Sequence, residues 1–220
     1  MFFWIIECIQ MLYQKDTRNA VRAFRLFDDA SRQAVIYDMI RYLPECGENE
    51  IISHPEHYFV DLMQRNPIFR SIFYSRSCPQ WNNNPRLRDC IRRSMLHMPG
   101  DQLIYISAKE IGKGLLIYHG PVAIGENVRI GDNVTISGYV IIGKRHRESP
   151  VIGNNVHINA QATILGPVSV GDNAVIGAGT LVLKDVQANT VVAGNPAKVL
   201  HEVTGNEHKR VKKDTDDTSP

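Results

Sequence analysis

From residue 124 onward the aliphatic residues of this chain keep a beat of six. Ile124, Ile130, Ile136 and Ile142 carry it, and it resumes at Ile152, Ile158, Ile164, Val170, Ile176 and Val182. A second column falls four residues after each: Val128, Val134, Val140, Val156, Ala162, Val168, Ala174, Thr180 and Val186. An α-helix, whose period is 3.6, does not produce this pattern. Gly after the aliphatic residue, followed by an acidic or amide residue, as in "IGEN", "IGDN", "IGNN" and "VGDN", supplies positions that tolerate left-handed backbone at tight corners. Both columns are predicted to point inward. A short strand cannot bury its inner side alone, so successive coils must stack at the ~4.8 Å strand spacing into a parallel β-helix.

The first hundred residues follow a different pattern. In "DTRNAVRAFRLFDDASRQAVIYDMIRYLPE" the apolar residues Val21, Phe24, Phe27, Val35, Met39 and Leu43 fall at helical spacing, and Pro44 ends the run. "SHPEHYFVDLMQRNP" offers Ser53 as a helix start, Pro55 early in the helix and Pro67 as its stop. A further helix is predicted through "PRLRDCIRRSMLH", with Pro99-Gly100 marking the change of style. The opening "MFFWIIECIQMLYQK" is apolar but short, contains Glu7 and Gln10, and has neither a basic start nor a cleavage site. It reads as a packed helix, neither signal peptide nor membrane span.

The six-residue beat slips in two places. Seven residues separate Ile117 from Ile124, with His119-Gly120-Pro121 in the gap, and ten separate Ile142 from Ile152, with "GKRHRESP" between. A β-helix absorbs extra residues by extruding them at a corner, so both slips predict surface projections. Each carries a histidine, His119 and His146, the side chain suited to general-base work near neutral pH.

Charge and cysteine content narrow the function classes. Lys+Arg total 25 against 23 for Asp+Glu, so nothing draws the chain to nucleic acid or an anionic membrane. Arg86, Arg88, Arg92 and Arg93 read as one solvated helix face. Cys8, Cys46, Cys78 and Cys90 form no CxxC pair, which argues against a zinc ribbon or disulfide framework and fits a reducing cytoplasm.

The stretch "VSVGDNAVIGAGTLVLKDVQANTVVAGNPAKVL" closely resembles the final coils and exit segment of acetyl-CoA-dependent hexapeptide-repeat acyltransferases, and the likeness runs over roughly residues 105–203. A helical domain ahead of the repeats makes the serine acetyltransferases the nearest branch. The resemblance implies a left-handed β-helix with three hexapeptides per triangular coil. The fold class is therefore expected to be α+β: an all-α domain over 1–100, the β-helix over 103–203, and a disordered tail over 204–220.

The resemblance also implies an activity, acetyl transfer from CoA to a hydroxyl of serine or a sugar, with no metal. It assigns the general base to His119 in "HGPVAIGE", while the sugar acetyltransferases of the fold carry theirs in the later loop, which makes His146 the rival. Small residues lining CoA fall on Ala160 and Ala178, basic phosphate contacts on Lys184 and Lys198, and an oxyanion amide on Gly143. The chain departs from the serine acetyltransferase pattern at Tyr118, where an Asp precedes the base, and at Ile104, where an orienting Asp stands; Glu110 is the substitute at hand. Ser149 precedes Pro150 where the family has a second His. The family assembles as trimers or dimers of trimers. Its isoleucine-ended tail docks the next enzyme of cysteine synthesis; the tail here ends in proline, so that partner is not expected. Two other classes stay open: a zinc hydratase using His119, His146 and His157, which requires converging imidazoles, and a non-catalytic β-helix scaffold.

Overall fold

A computed structural model of the chain describes residues 17–77, 84–87, 89–90 and 104–204. The predictions for the apolar start, for Cys8, Cys78, Arg88, Arg92 and Arg93, and for the tail beyond 204 lie outside these residues.

The helical part comprises α1 (residues 17–26), α2 (Asp29–Tyr42), α3 (Glu48–Ser53), α4 (Pro55–Arg65) and α5 (Pro67–Ser77). Phe24, Phe27, Val35, Met39 and Leu43 are all buried, as their spacing predicts. Phe24 stacks on Phe59 at 4.7 Å, and Phe59 meets Phe73 edge-on at 4.9 Å. Three punctuation signals read differently in three dimensions. Asp28 interrupts the first run because its carboxylate accepts from Ser31 N at 2.7 Å and starts α2 as an N-cap. Ser53 ends α3, and His54 precedes α4 in its place. Pro67 opens α5: Asn66 Oδ1 accepts from Phe69 N at 2.9 Å, and proline suits the first helical turn.

From Ile104 the chain winds through three sheets. Face A holds β1 (Ile104–Ile106), β4 (Val122–Ile124), β7 (Val140–Gly143), β10 (Thr163–Leu165) and β13 (Leu181–Val182). Face B holds β2 (Glu110–Ile111), β5 (Arg129–Ile130), β8 (Val151–Ile152) and β11 (Ser169–Val170). Face C holds β3 (Leu116–Ile117), β6 (Thr135–Ile136), β9 (His157–Ile158), β12 (Val175–Ile176), β14 (Thr190–Ala193) and the antiparallel exit strand β15 (Lys198–Glu202). The result is a left-handed parallel β-helix of about five turns.

Every residue of the two predicted columns is buried. The first column stacks in register, Ile124 on Ile142 on Ile164 on Val182 along face A and Ile136 on Ile158 on Ile176 along face C. One assignment changes. Val186 lies opposite Val170, a first-column residue, because the last coil is two residues short between Val182 and Val186. The corner glycines also serve a purpose other than the predicted one. Left-handed backbone falls on Asn133, Asn155 and Asn173, with φ of 56°, 54° and 59°. Their side-chain amides form a ladder, Asn133 to Asn155 at 3.3 Å and Asn155 to Asn173 at 3.1 Å. Gly131, two residues before Asn133, is required by close approach: a Cβ there would sit 2.7 Å from the Gly153 carbonyl carbon of the next coil.

The helices cap the open first coil. Arg76 donates to Ile111 O at 2.7 Å and Gly112 O at 2.6 Å on the edge of face B. On the edge of face C, the Tyr42 hydroxyl donates to Ile117 O at 3.0 Å and accepts from Ile117 N at 2.9 Å, standing in for a missing strand. Asp38 binds Arg76 at 2.6 and 2.8 Å and accepts from Leu115 N at 2.9 Å, with both side chains almost wholly buried. Burial raises the Asp38 carboxyl above its ordinary value, against the pull of Arg76 and the Leu115 and Gly114 N–H groups. Asp38→Ala would strand the buried Arg76 guanidinium and is expected to cost about 3–5 kcal/mol in urea unfolding; a loss under about 1 kcal/mol would show that the pair does not hold the cap.

Candidate active site

Both slips lie at corners, but at different ones. His119 stands where the chain leaves face C for face A, between β3 and β4. Four residues, Tyr118 to Pro121, there oppose three in the coil above, since Ile117 pairs with Ile136 and Val122 with Val140. The extra residue is extruded, and His119 is exposed. Its Cβ lies 3.2 Å from where a Cβ on Gly138 would be, so the glycine directly above allows the histidine to sit close to the coil. The Tyr118 ring lies 6.4 Å from the His119 ring, tilted by 40°.

Gly138, Ala160 and Ala178 occupy the same position of this corner in three successive coils. Gln161 N donates to Gly138 O at 3.0 Å, and Gly179 N to Ala160 O at 2.9 Å, which fixes that register. At the far end, residues 194–197 fold over the same corner, with Ala197 N donating to Leu181 O at 2.8 Å, and lead into exposed Lys198 opposite Ala193. His119, Ala160, Ala178 and Lys198 are thus brought onto one edge of the prism.

The remaining candidates lie across face A, at the corner leading to face B. His146 and Arg147 form the tip of a two-residue hairpin closed by Arg145 N to Glu148 O at 2.9 Å and Glu148 N to Arg145 O at 3.2 Å. Gly143 ends β7 opposite Leu165, and exposed Lys184 follows β13 toward the same side. Glu110 is not placed to orient His119: it sits on face B and pairs with Arg129 at 3.3 Å. Ile104 stacks on Val122 in the inner column. His157 lies on face C, so His119, His146 and His157 do not converge within the chain. No group of three or more His, Cys, Asp or Glu residues suited to a metal gathers among the described residues.

Sequence reasoning passed over Tyr139. It occupies the left-handed position of the His119 corner with φ of 61°, and its N donates to Pro121 O at 2.6 Å. Gln161 and Gly179 hold that position in the next two coils, with φ of 63° and 66°. The left-handed conformation costs a side-chain-bearing residue roughly 1–2 kcal/mol, and an aromatic there is unusual. Aligning the coils by their columns sets Tyr139 under Gln161 and Gly179, a signal present in the repeat itself. A cleft of about 630 Å³ lies elsewhere, between the helices and face B, lined among others by Ser31, Arg76, Lys109 and Asp132; of the residues considered for the site only Glu110 borders it.

A triangular β-helix with a histidine extruded at one corner, beneath a column of small residues, defines a hexapeptide-repeat protein with a corner site. The description "Bacterial transferase hexapeptide (six repeats)" matches residues 149–184, and "Hexapeptide repeat of succinyl-transferase" matches 121–145. Serine acetyltransferase 4 of Arabidopsis thaliana is 46% identical over 98 residues, covering 42% of this chain and 28% of that protein. A Helicobacter pylori serine acetyltransferase is 42% identical over 99 residues, covering 41% and 56%. The matched part thus spans between about a quarter and just over half of these relatives. The structure of a soybean serine acetyltransferase complexed with serine superposes with a TM-score of 0.59 at 27% identity, over 79% of this chain and 70% of that one. The β-helix of this chain is built of hexapeptide repeats and is similar to the corresponding part of serine acetyltransferases.

At the hairpin tip, His146 and Arg147 both adopt positive φ, 53° and 74°, the geometry that favours Asn-Gly. His146→Asn with Arg147→Gly is expected to stabilise the protein by about 1 kcal/mol, raising the melting midpoint by ~2–4 °C; a lower midpoint would mean that the two side chains make contacts that outweigh the relieved strain.

Proposed function

We propose that this chain is an O-acetyltransferase of the serine acetyltransferase type, transferring acetyl from CoA to a hydroxyl acceptor such as serine. The observation that carries the reading is the single corner edge running from His119 through Gly138, Ala160 and Ala178 to Lys198. Pantetheine needs a track of small side chains, and the CoA phosphates need a cation at its open end. Lys184, across face A, is the second phosphate contact the resemblance implies. His119 stands at the other end, where the thioester would arrive. The named activity of the curated relatives supports the same reading.

In this mechanism His119 accepts the proton of the acceptor hydroxyl as its oxygen attacks the thioester carbonyl carbon. The tetrahedral oxyanion needs N–H donors, for which Gly143 is the candidate by resemblance, although it lies on the opposite edge of face A from His119. Collapse breaks the carbon–sulfur bond, and His119 returns its proton to the departing thiolate. The exposed outer side of face A carries Tyr105 and Ile141, which suits packing against another copy and a trimer with sites between protomers.

Turnover is read as release of CoA thiol with serine and with simple sugars as acceptors. His119→Ala is expected to lower turnover by roughly 10²–10⁴ while the KM for acetyl-CoA holds. The proposal fails if His119→Ala leaves turnover intact and His146→Ala abolishes it. Lys198→Ala and Lys184→Ala should each weaken acetyl-CoA binding by about 1–3 kcal/mol and leave a truncated pantetheine thioester unaffected. Equal losses for both ligands would remove the lysines from the phosphate site.

A further inference from the structure

Tyr139 is the one Phe, Tyr or Trp in left-handed backbone among the described residues, at a position where Gln161 and Gly179 stand in the next two coils. It is held one coil above His119 by its N–H bond to Pro121 O, and Gly138, its neighbour, abuts His119 directly. Tyr118 flanks the same imidazole from within the extruded segment. Both tyrosines are exposed, so their rings are not needed to fill the core.

A general base at His119 fixes where an acyl group must lie. The hydroxyl it deprotonates has to be within hydrogen-bond reach, and the carbonyl carbon ~3–3.5 Å from that hydroxyl. The acyl chain then falls within about one coil spacing (~4.8 Å) of His119, and Tyr139 is anchored one coil above that corner, next to the Gly138 that abuts His119. We infer that Tyr139 is a specificity-determining residue that closes the acyl end of the site, admitting a two-carbon acyl group and rejecting longer ones. The inference rests on the O-acetyltransferase reading. It adds to that reading the residue that limits the length of the acyl chain.

The test is calorimetric titration of free CoA, acetyl-CoA and butyryl-CoA into the full chain, which needs no knowledge of the acceptor. The unaltered protein is expected to bind butyryl-CoA at least ~10-fold more weakly than acetyl-CoA, the scale at which a closed pocket rejects added methylenes. Tyr139→Gly should bring the two within about threefold of each other, and Tyr139→Phe should keep the gap, since ring volume and not the hydroxyl sets it. The glycine also suits the left-handed backbone, so the Tyr139→Gly melting midpoint should not fall. Equal affinities in the unaltered protein, or an unchanged gap in Tyr139→Gly, overturn the inference while CoA binding leaves the acetyltransferase reading standing. If neither free CoA nor either thioester binds, that reading falls and takes this one with it.

Discussion

Each coil of the β-helix is bonded through its backbone to the coil beside it, as Gly125 N is to Ile142 O and Ser137 N to Ile158 O, both at 2.8 Å. Stacking of this kind forces every inward residue to sit on its counterpart one turn away, and the strands tolerate no added residue. Length changes can appear only at corners. The chain uses this freedom four times with different consequences: one residue is lost between Ile106 and Ile111, one added residue extrudes His119, four build the hairpin carrying His146, and two are lost between Val182 and Val186. The same constraint aligns Gly138, Ala160 and Ala178 into one column above His119. The candidate site is therefore a product of register. No long-range side-chain contact is required to assemble it.

A stacked solenoid has unpaired backbone at its ends, and the helices resolve this at the first coil. Arg76, Asp38 and Tyr42 satisfy carbonyl and N–H groups on the edges of faces B and C, and Ser75 reaches Ile106 O of face A at 3.4 Å. Burial pushes the Tyr42 phenol well above its ordinary range, so it stays protonated and keeps its donor. The cap holds the coil from which Tyr118 and His119 emerge. The helical part thus supports the candidate site from beneath.

Local periodicity made most of the β-helix legible. Two columns of aliphatic residues at a fixed spacing have one physical solution, and all of them are buried. The corner that extrudes His119 was also readable, because an added residue has nowhere else to go. Other features depended on information the repeat does not carry. The corner glycines serve close approach between coils, which is visible only once Gly131 is seen against Gly153. α5 escaped notice because Pro67 reads equally as a stop or a start, and Asn66 decides between them. The cap joins residues 31 to 94 positions apart, from Ser75–Ile106 to Arg41–Thr135. Glu110 looked available in the sequence, but its strand faces away from His119 and Arg129 holds it.

The central claim is that the His119 corner is where the thioester meets its base. A crystal structure of the protein with CoA tests it most directly. The account predicts pantetheine lying over Ala178, Ala160 and Gly138, phosphates near Lys198, and the thiol sulfur within ~4 Å of the His119 imidazole. CoA bound along the opposite edge of face A, with its thiol at His146, would contradict it.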